Sequence, residues 1–314
     1  MREKGNEIGK VIKVTRRHYW VDIDGSIVIC TIRGKLAGAP NQEMMSVKVG
    51  DDVQIRRTSS TDGVIEKILE RRSKLSRAVE GKAYREHIIA TNIDQILIIM
   101  SAKEPPFKSG LLDRYLVIAE HNHLKAVICI NKIDLSSPEE FESYRQWYMK
   151  LGYPLFFTSA ITGFGANKLI SVLKNKVSAL VGHSGVGKSS LIKSIEPGLD
   201  LKISPISEHT KKGIHTTTFV QLYPLSFGGY VIDTPGIREL GLWNIFQNDL
   251  KKYFVEFAAY EKNCQFNNCL HLKEPGCAVK KAVEKEEIFK ERYQNYVNIY
   301  LSLRAAPYEL IKTR

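Results

Sequence analysis

The stretch Gly182-His183-Ser184-Gly185-Val186-Gly187-Lys188-Ser189-Ser190 fits G-x-x-x-x-G-K-[ST], a spacing suited to wrapping a polyphosphate. Glycines in such a turn let successive backbone N–H groups face inward, and the helix that follows presents the positive end of its dipole. Lys188 brings a full positive charge to the outer phosphates, where it neutralises charge during transfer, and the Ser189 hydroxyl can ligate Mg²⁺. The flanks agree with this reading. Val177–Val181 is a short apolar run of strand character, and residues 191–195 read as the first turns of a helix.

A second motif selects the base. Asn131-Lys132-Ile133-Asp134 fits N-K-x-D at the end of an apolar run. A carboxylate at Asp134 accepts from both the N1–H and the 2-amino group of guanine. Adenine does not offer that pair of donors, and a site built on paired polar contacts rejects an analogue that leaves them unmade. Asn131 would brace the surrounding loops, and the aliphatic stem of Lys132 would cover the ring face. Ser159-Ala160, after the apolar run 153–158, supplies a backbone amide for guanine O6. The expected nucleotide is GTP.

Residues 203–218 are rich in Ser, Lys, Gly and His and have little to bury, the composition of a switch loop ordered by γ-phosphate and Mg²⁺. A threonine here completes the Mg²⁺ shell; Thr217 is favoured, although spacing does not separate it from Thr216 or Thr218. Residues 230–236 then form a strand ending in D-x-x-G, with Asp233 toward Mg²⁺ and the Gly236 amide toward the γ-phosphate. The next residue is Ile237 rather than a water-orienting glutamine. His215 is the nearest residue with suitable chemistry for positioning the attacking water, and a loop histidine with no catalytic part is the equal alternative.

A third cluster lies downstream. Cys264, Cys269, His271 and Cys277 fall within fourteen positions, enough for a closed tetrahedral Zn²⁺ site of Cys₃His type. Four protein ligands leave no open position, so the expected zinc is structural, one per chain.

The elements that must position these motifs come in three styles. Residues 9–14, 19–23, 27–32, 52–56 and 63–68 read as short strands, several of them alternating apolar with polar residues. Five such strands in about seventy residues suit an OB-type barrel, whose face and loops commonly hold nucleic acid. Its cations cluster as Arg16-Arg17-His18, Arg33-Gly34-Lys35, Arg56-Arg57 and Arg71-Arg72-Ser73-Lys74, with Tyr19 and Trp20 beside the first. Residues 73–90 read as a polar, basic connector. From there to the phosphate loop, strands (92–100, 125–130, 153–158, 177–181) alternate with helical spacing (111–122, 138–151, 166–174), which implies a mostly parallel sheet covered on both faces. The expected division is an RNA-binding barrel over 1–72, a P-loop GTPase unit over 73–240 and a mostly α, zinc-binding unit over 241–314. Residues 283–303 read there as one helix with a packed tyrosine stripe.

Composition bounds the rest. A length of 314 residues with 43% hydrophobic content suits a multidomain soluble protein, and a net charge of +12 favours a polyanionic partner, nucleic acid first. No apolar run reaches about eighteen residues and the charged start lacks an apolar core, so neither a membrane span nor a signal peptide is expected. The reading is a cytoplasmic protein. Nothing calls for more than a monomer.

The order of the motifs is unusual: N-K-x-D and the Ser-Ala loop precede the phosphate loop, the switch segment and D-x-x-G. Such a circular permutation still leaves each motif at the end of its own strand. With the barrel-like front and the downstream cysteine cluster, this order resembles the ribosome small-subunit-dependent GTPase A family (RsgA, also called YjeQ) over almost the whole chain. The resemblance implies a GTPase that binds the small ribosomal subunit and its rRNA, is stimulated by it, and checks a late step of its maturation. An apolar residue at position 237 and the Cys₃His cluster fit the same family.

Overall fold

A computed structural model of the chain describes residues 6–32, 46–79, 82–199, 220–233, 242 and 244–303, with the backbone alone for 77–79, 82–86 and 233. The first five strands are β1 (Glu7–Val14), β2 (Tyr19–Ile23), β3 (Ser26–Ile32), β4 (Asp52–Arg57) and β5 (Asp62–Ile68). Their order is β1-β2-β3-β5-β4 with β4 returning to β1, which closes a barrel. All its pairings are antiparallel except β3 with β5. Period-two alternation accounts for the closure: in β3, Val28 and Cys30 point into the core while Ile27, Ile29 and Thr31 stay exposed. Val11, Val21, Val47, Val53, Ile55 and Ile65 complete that core.

The polar segment expected to be a connector is instead a hairpin, β6 (Lys74–Val79) with β7 (Lys82–Thr91). Its backbone groups pair with each other, so it needs few apolar residues; Leu75 and Ile88 to Ala90 are its buried anchors.

An α/β layer follows, with β8 (Gln95–Ser101), α1 (Ser109–His121), β9 (Lys125–Asn131), α2 (Glu142–Lys150), β10 (Leu155–Phe157), α3 (Ala166–Leu173), β11 (Val177–Val181), α4 (Lys188–Ile195), β12 (Gln221–Pro224) and β13 (Tyr230–Asp233). The spatial order is β10-β9-β8-β11-β13-β12, parallel apart from β12. Every residue of β8 is buried. Its alternate residues serve opposite faces: Ile96 and Ile98 join Leu112 and Leu116 of α1, while Leu97 and Ile99 join Leu169 of α3 and Leu191 of α4.

Barrel and layer share one sheet, because Lys13 of β1 pairs with Gln221 of β12. Side chains reinforce the joint. Tyr230 Oη donates to Asp22 Oδ2 at 2.9 Å. The hairpin is tied to the barrel in turn: the fully buried Asp51 receives Arg71 Nε at 2.7 Å, Arg71 Nη2 at 2.8 Å and, from the end of β7, Thr91 Oγ1 at 2.7 Å.

The last part carries short 3₁₀ turns at Gln247–Tyr253, Val255–Ala259 and Glu261–Asn263, then α5 (Ala278–Glu284) and α6 (Lys290–Ser302). The single helix expected over 283–303 is therefore two. Glu286 takes φ 57°, and the amides of Glu286 and Glu287 return to the carbonyls of Val283 and Ala282, the two bonds of a Schellman stop. Glycine usually marks that position. Glutamate here hid the break.

Candidate functional site

The phosphate loop leaves β11 and enters α4 through two glycines that nothing larger can replace. A Cβ on Gly182 would stand 2.2 Å from the Ile99 carbonyl, and one on Gly187, at φ +89°, 2.6 Å from Asn131 Nδ2. Lys188 opens α4 and its Nζ donates to the carbonyls of Gly182 at 2.7 Å and His183 at 3.0 Å, so the ammonium lies against the inside of the turn. Ser189 and Ser190 follow on the first turn of α4, and Ser184 and Gly185 form the turn itself.

Asn131 ends β9 and is 1% exposed. Its Nδ2 donates to the Val186 carbonyl at 2.9 Å, and its Oδ1 accepts from Thr158 Oγ1 at 3.1 Å. One amide thereby joins the ends of β9 and β10 to the phosphate loop. Lys132 adopts a left-handed conformation (φ 61°, ψ 38°), and its Nζ donates to the carbonyl of Glu104 in the loop after β8. Ile133 is buried while Asp134 is exposed. Ser159 is buried with its N–H closing on the Phe164 carbonyl at 3.0 Å. The amide of Ala160 makes no hydrogen bond among the described residues. The structure thus brings together residues 131–134, 159–160 and 182–190. The backbone of Asp233 ends β13, next to β11, at the register Leu180↔Asp233. His215, Thr217 and Gly236 lie outside the described residues.

Cys264, Cys269, His271 and Cys277 place their ligand atoms within 4.8 Å of one another. His271 Nδ1 stands 3.6 Å from Cys264 Sγ and 3.4 Å from Cys277 Sγ. Tetrahedral zinc, with Zn–S near ~2.3 Å and Zn–N near ~2.0 Å, separates sulfur from nitrogen by roughly 3.5 Å, so the donor set fits. Burial pushes the Cys269 thiol up to about 12 and holds His271 below the usual imidazole range. A neutral imidazole suits a metal, and a dication is what ionises such thiols. Backbone amides of Ala278 and Lys280 point at the sulfurs of Cys264 and Cys277 at 3.3 and 3.5 Å. Two residues of the tyrosine stripe clamp this loop: Tyr293 Oη donates to the His271 carbonyl at 2.8 Å and Tyr296 Oη to the Leu270 carbonyl at 2.6 Å.

Residues 68–243 match the family described as RsgA GTPase. The chain is 38% identical over 291 residues to the small ribosomal subunit biogenesis GTPase RsgA of Caldanaerobacter subterraneus subsp. tengcongensis, spanning 93% of this chain and 94% of that protein. The chain belongs to the RsgA GTPase family. The Thermotoga maritima relative of the same description is 40% identical over 282 residues, 89% of this chain and 90% of that one. Among solved structures, YjeQ from Thermotoga maritima superposes with a TM-score of 0.77 at 36% identity, covering 95% of this chain and 99% of that one. YloQ, described as a circularly permuted GTPase, gives 0.74 at 30% identity and 96% of both chains. This RsgA-family protein is accordingly a GTP hydrolase with a barrel, a permuted GTPase layer and a Cys₃His region. GTP and Mg²⁺ are the ligands its family implies. Among the described residues no helix is long and apolar enough to cross a membrane.

One arrangement in this RsgA-family chain has no local motif. Arg292 of α6 is 1% exposed and reaches Asp113 of α1, and its Nε donates to Glu256 Oε1 at 2.6 Å. Asn295 and Tyr148 add donors to Asp113 at 2.7 and 2.9 Å, and the Phe254 ring lies 4.8 Å from the guanidinium. This buried network docks the end that carries the Cys₃His cluster onto α1. Arg292 and Asp113 are 179 residues apart in the chain, so no sequence spacing signals their pairing.

Proposed function

We propose that this protein is a GTPase of small ribosomal subunit biogenesis, which binds the subunit through rRNA and hydrolyses GTP faster when bound. The observation that carries the nucleotide half is the Asn131 amide, which holds the base-reading loop and the phosphate loop against each other. The ribosomal half rests on relatives named for small-subunit biogenesis that match over most of their length, and on a net charge of +12.

In this reading Asp134 accepts from guanine, Lys132 covers the ring, and the Ala160 amide reaches O6. Residues 182–190 wrap the phosphates while Lys188 neutralises charge as the terminal phosphoryl leaves. Ser189, Thr217 and Asp233 would hold Mg²⁺, which supplies charge stabilisation, and Gly236 senses the γ-phosphate. His215 orients the attacking water once the subunit orders its segment. Residues 1–72, 73–240 and 241–314 act as RNA-binding barrel, GTPase unit and zinc-binding unit. One structural zinc sits on Cys264, Cys269, His271 and Cys277, and the protein works as a cytoplasmic monomer.

The test is hydrolysis of GTP and ATP with and without purified small subunits over a salt series. Selective GTP turnover, raised by subunits and losing that stimulation as salt rises, is expected. An unchanged rate with subunits would end the ribosomal half, and equal use of ATP the guanine half.

A further inference from the structure

The outer face of the barrel carries a row of four side chains that strand register places side by side. Lys13 pairs with Trp20, Trp20 with Ile29 and Ile29 with Asp62, across β1, β2, β3 and β5. Directly opposed residues share a face, so the row reads cation, indole, aliphatic, carboxylate. Lys13 Nζ lies 4.8 Å from the Trp20 ring centroid. His18, two residues before Trp20, sets its ring edge against the indole at 6.3 Å. Trp20, Ile29, His18 and Asp62 line one groove of about 450 Å³, together with Thr31 and Thr58.

Asp62 is the unexpected member, since a carboxylate repels the phosphates that the rest of the barrel's cations attract. Its Oδ2 accepts from Ser59 Oγ at 2.7 Å and Thr61 Oγ1 at 2.8 Å. Those bonds hold the carboxyl below its usual range, so it is ionised. Its Oδ1 accepts no hydrogen bond among the described residues, and Asp62 is one of the residues lining the groove. Arg16 and Arg17 stand exposed on the loop immediately before His18.

We propose that this groove takes one unstacked nucleobase of single-stranded RNA and selects bases that carry an exocyclic amino group. The inference rests on the RNA-binding reading given above and names what that barrel face reads. Trp20 and Ile29 form the apolar wall against which a base lies. Asp62 Oδ1 accepts from the amino group of adenine, cytosine or guanine. Uracil presents its only ring N–H between two carbonyl oxygens, which the carboxylate repels. Lys13, Arg16 and Arg17 take the flanking phosphates, giving affinity without base choice.

Binding of the full chain to U₉ and to U₄NU₄ nonamers, with N as A, C or G, tests this at low salt. About fivefold or more preference for a central amino-bearing base is expected, and Trp20→Ala should weaken that complex about tenfold or more. Asp62→Asn is the sharper variant. The hydroxyls of Ser59 and Thr61 still require an acceptor, so the amide NH₂ takes the groove position and preference should move toward uracil. Thermal melts confirm that each variant folds. Absence of base preference in the wild type, or an Asp62→Asn effect equal for all four oligonucleotides, overturns the pocket. If small subunits bind while every nonamer fails, the pocket is likewise wrong and the RNA reading stands. If neither subunits nor nonamers bind, the RNA reading itself falls.

Discussion

The side-chain amide of Asn131 stands 2.9 Å from the Val186 carbonyl, tying N-K-x-D to the phosphate loop across 55 residues of sequence. Replacing Asn131 by Ala removes the donor to Val186 and the acceptor for Thr158 in a site where both partners are buried. A buried group left unpaired costs about 1–3 kcal/mol. Titration with a fluorescent guanine nucleotide should therefore show affinity falling by roughly 5- to 150-fold, since each 1.4 kcal/mol is about tenfold. Affinity within twofold of wild type would mean the two loops do not act as one site.

Metal removal should act on the other end of the molecule. A chelator, or Cys264→Ser, is expected to release one zinc equivalent per chain and to loosen α5 and α6, because the loop held by Tyr293 and Tyr296 has little apolar content of its own. Zinc release measured with a chromogenic dye, followed by near-ultraviolet circular dichroism, checks this. Guanine nucleotide binding should persist, since the nucleotide loops stand on β8, β9, β10 and β11. Removal of metal with no spectral change would contradict a structural role.

Arg292 lies between Asp113 and Glu256, and Arg292→Met would strand two carboxylates in the interior. Breaking a buried pair in this way costs roughly 3–5 kcal/mol. Burial already raises Asp113 above the usual carboxylate range, against the pull of Arg292. Without the guanidinium that rise grows. A carboxyl raised in the folded state stabilises least above its folded value, so the deficit of the variant should be larger at pH 8 than at pH 5. Urea melts at the two pH values decide the point; equal deficits would show that the carboxylates are not the source.

How much of this was legible in the sequence follows from how local each signal is. G-x-x-x-x-G-K-S, N-K-x-D and the Cys₃His cluster encode backbone shape or ligand chemistry within a few residues, and alternation in 19–32 announces a barrel before any contact is known. The β6–β7 hairpin escaped because paired backbone, not apolar side chains, holds most of it. The break at Glu286 escaped because its left-handed residue is not glycine. The Lys13–Gln221 pairing and the Arg292–Asp113 ion pair escaped because residues remote in the chain meet only after folding. Asp62 gave no signal at all until strand register set it beside Ile29 and Trp20.

The most direct test of a single guanine nucleotide site is the base preference of Asp134→Asn. Asparagine offers a donor where the carboxylate accepted, which opposes guanine and suits the 2-oxo group of xanthine. Competition binding with GTP, ATP and xanthosine triphosphate should show GTP affinity reduced about a hundredfold or more, xanthosine triphosphate preferred, and ATP unaffected. An Asp134→Asn protein that still prefers GTP would show that Asp134 and Lys188 do not serve one bound nucleotide.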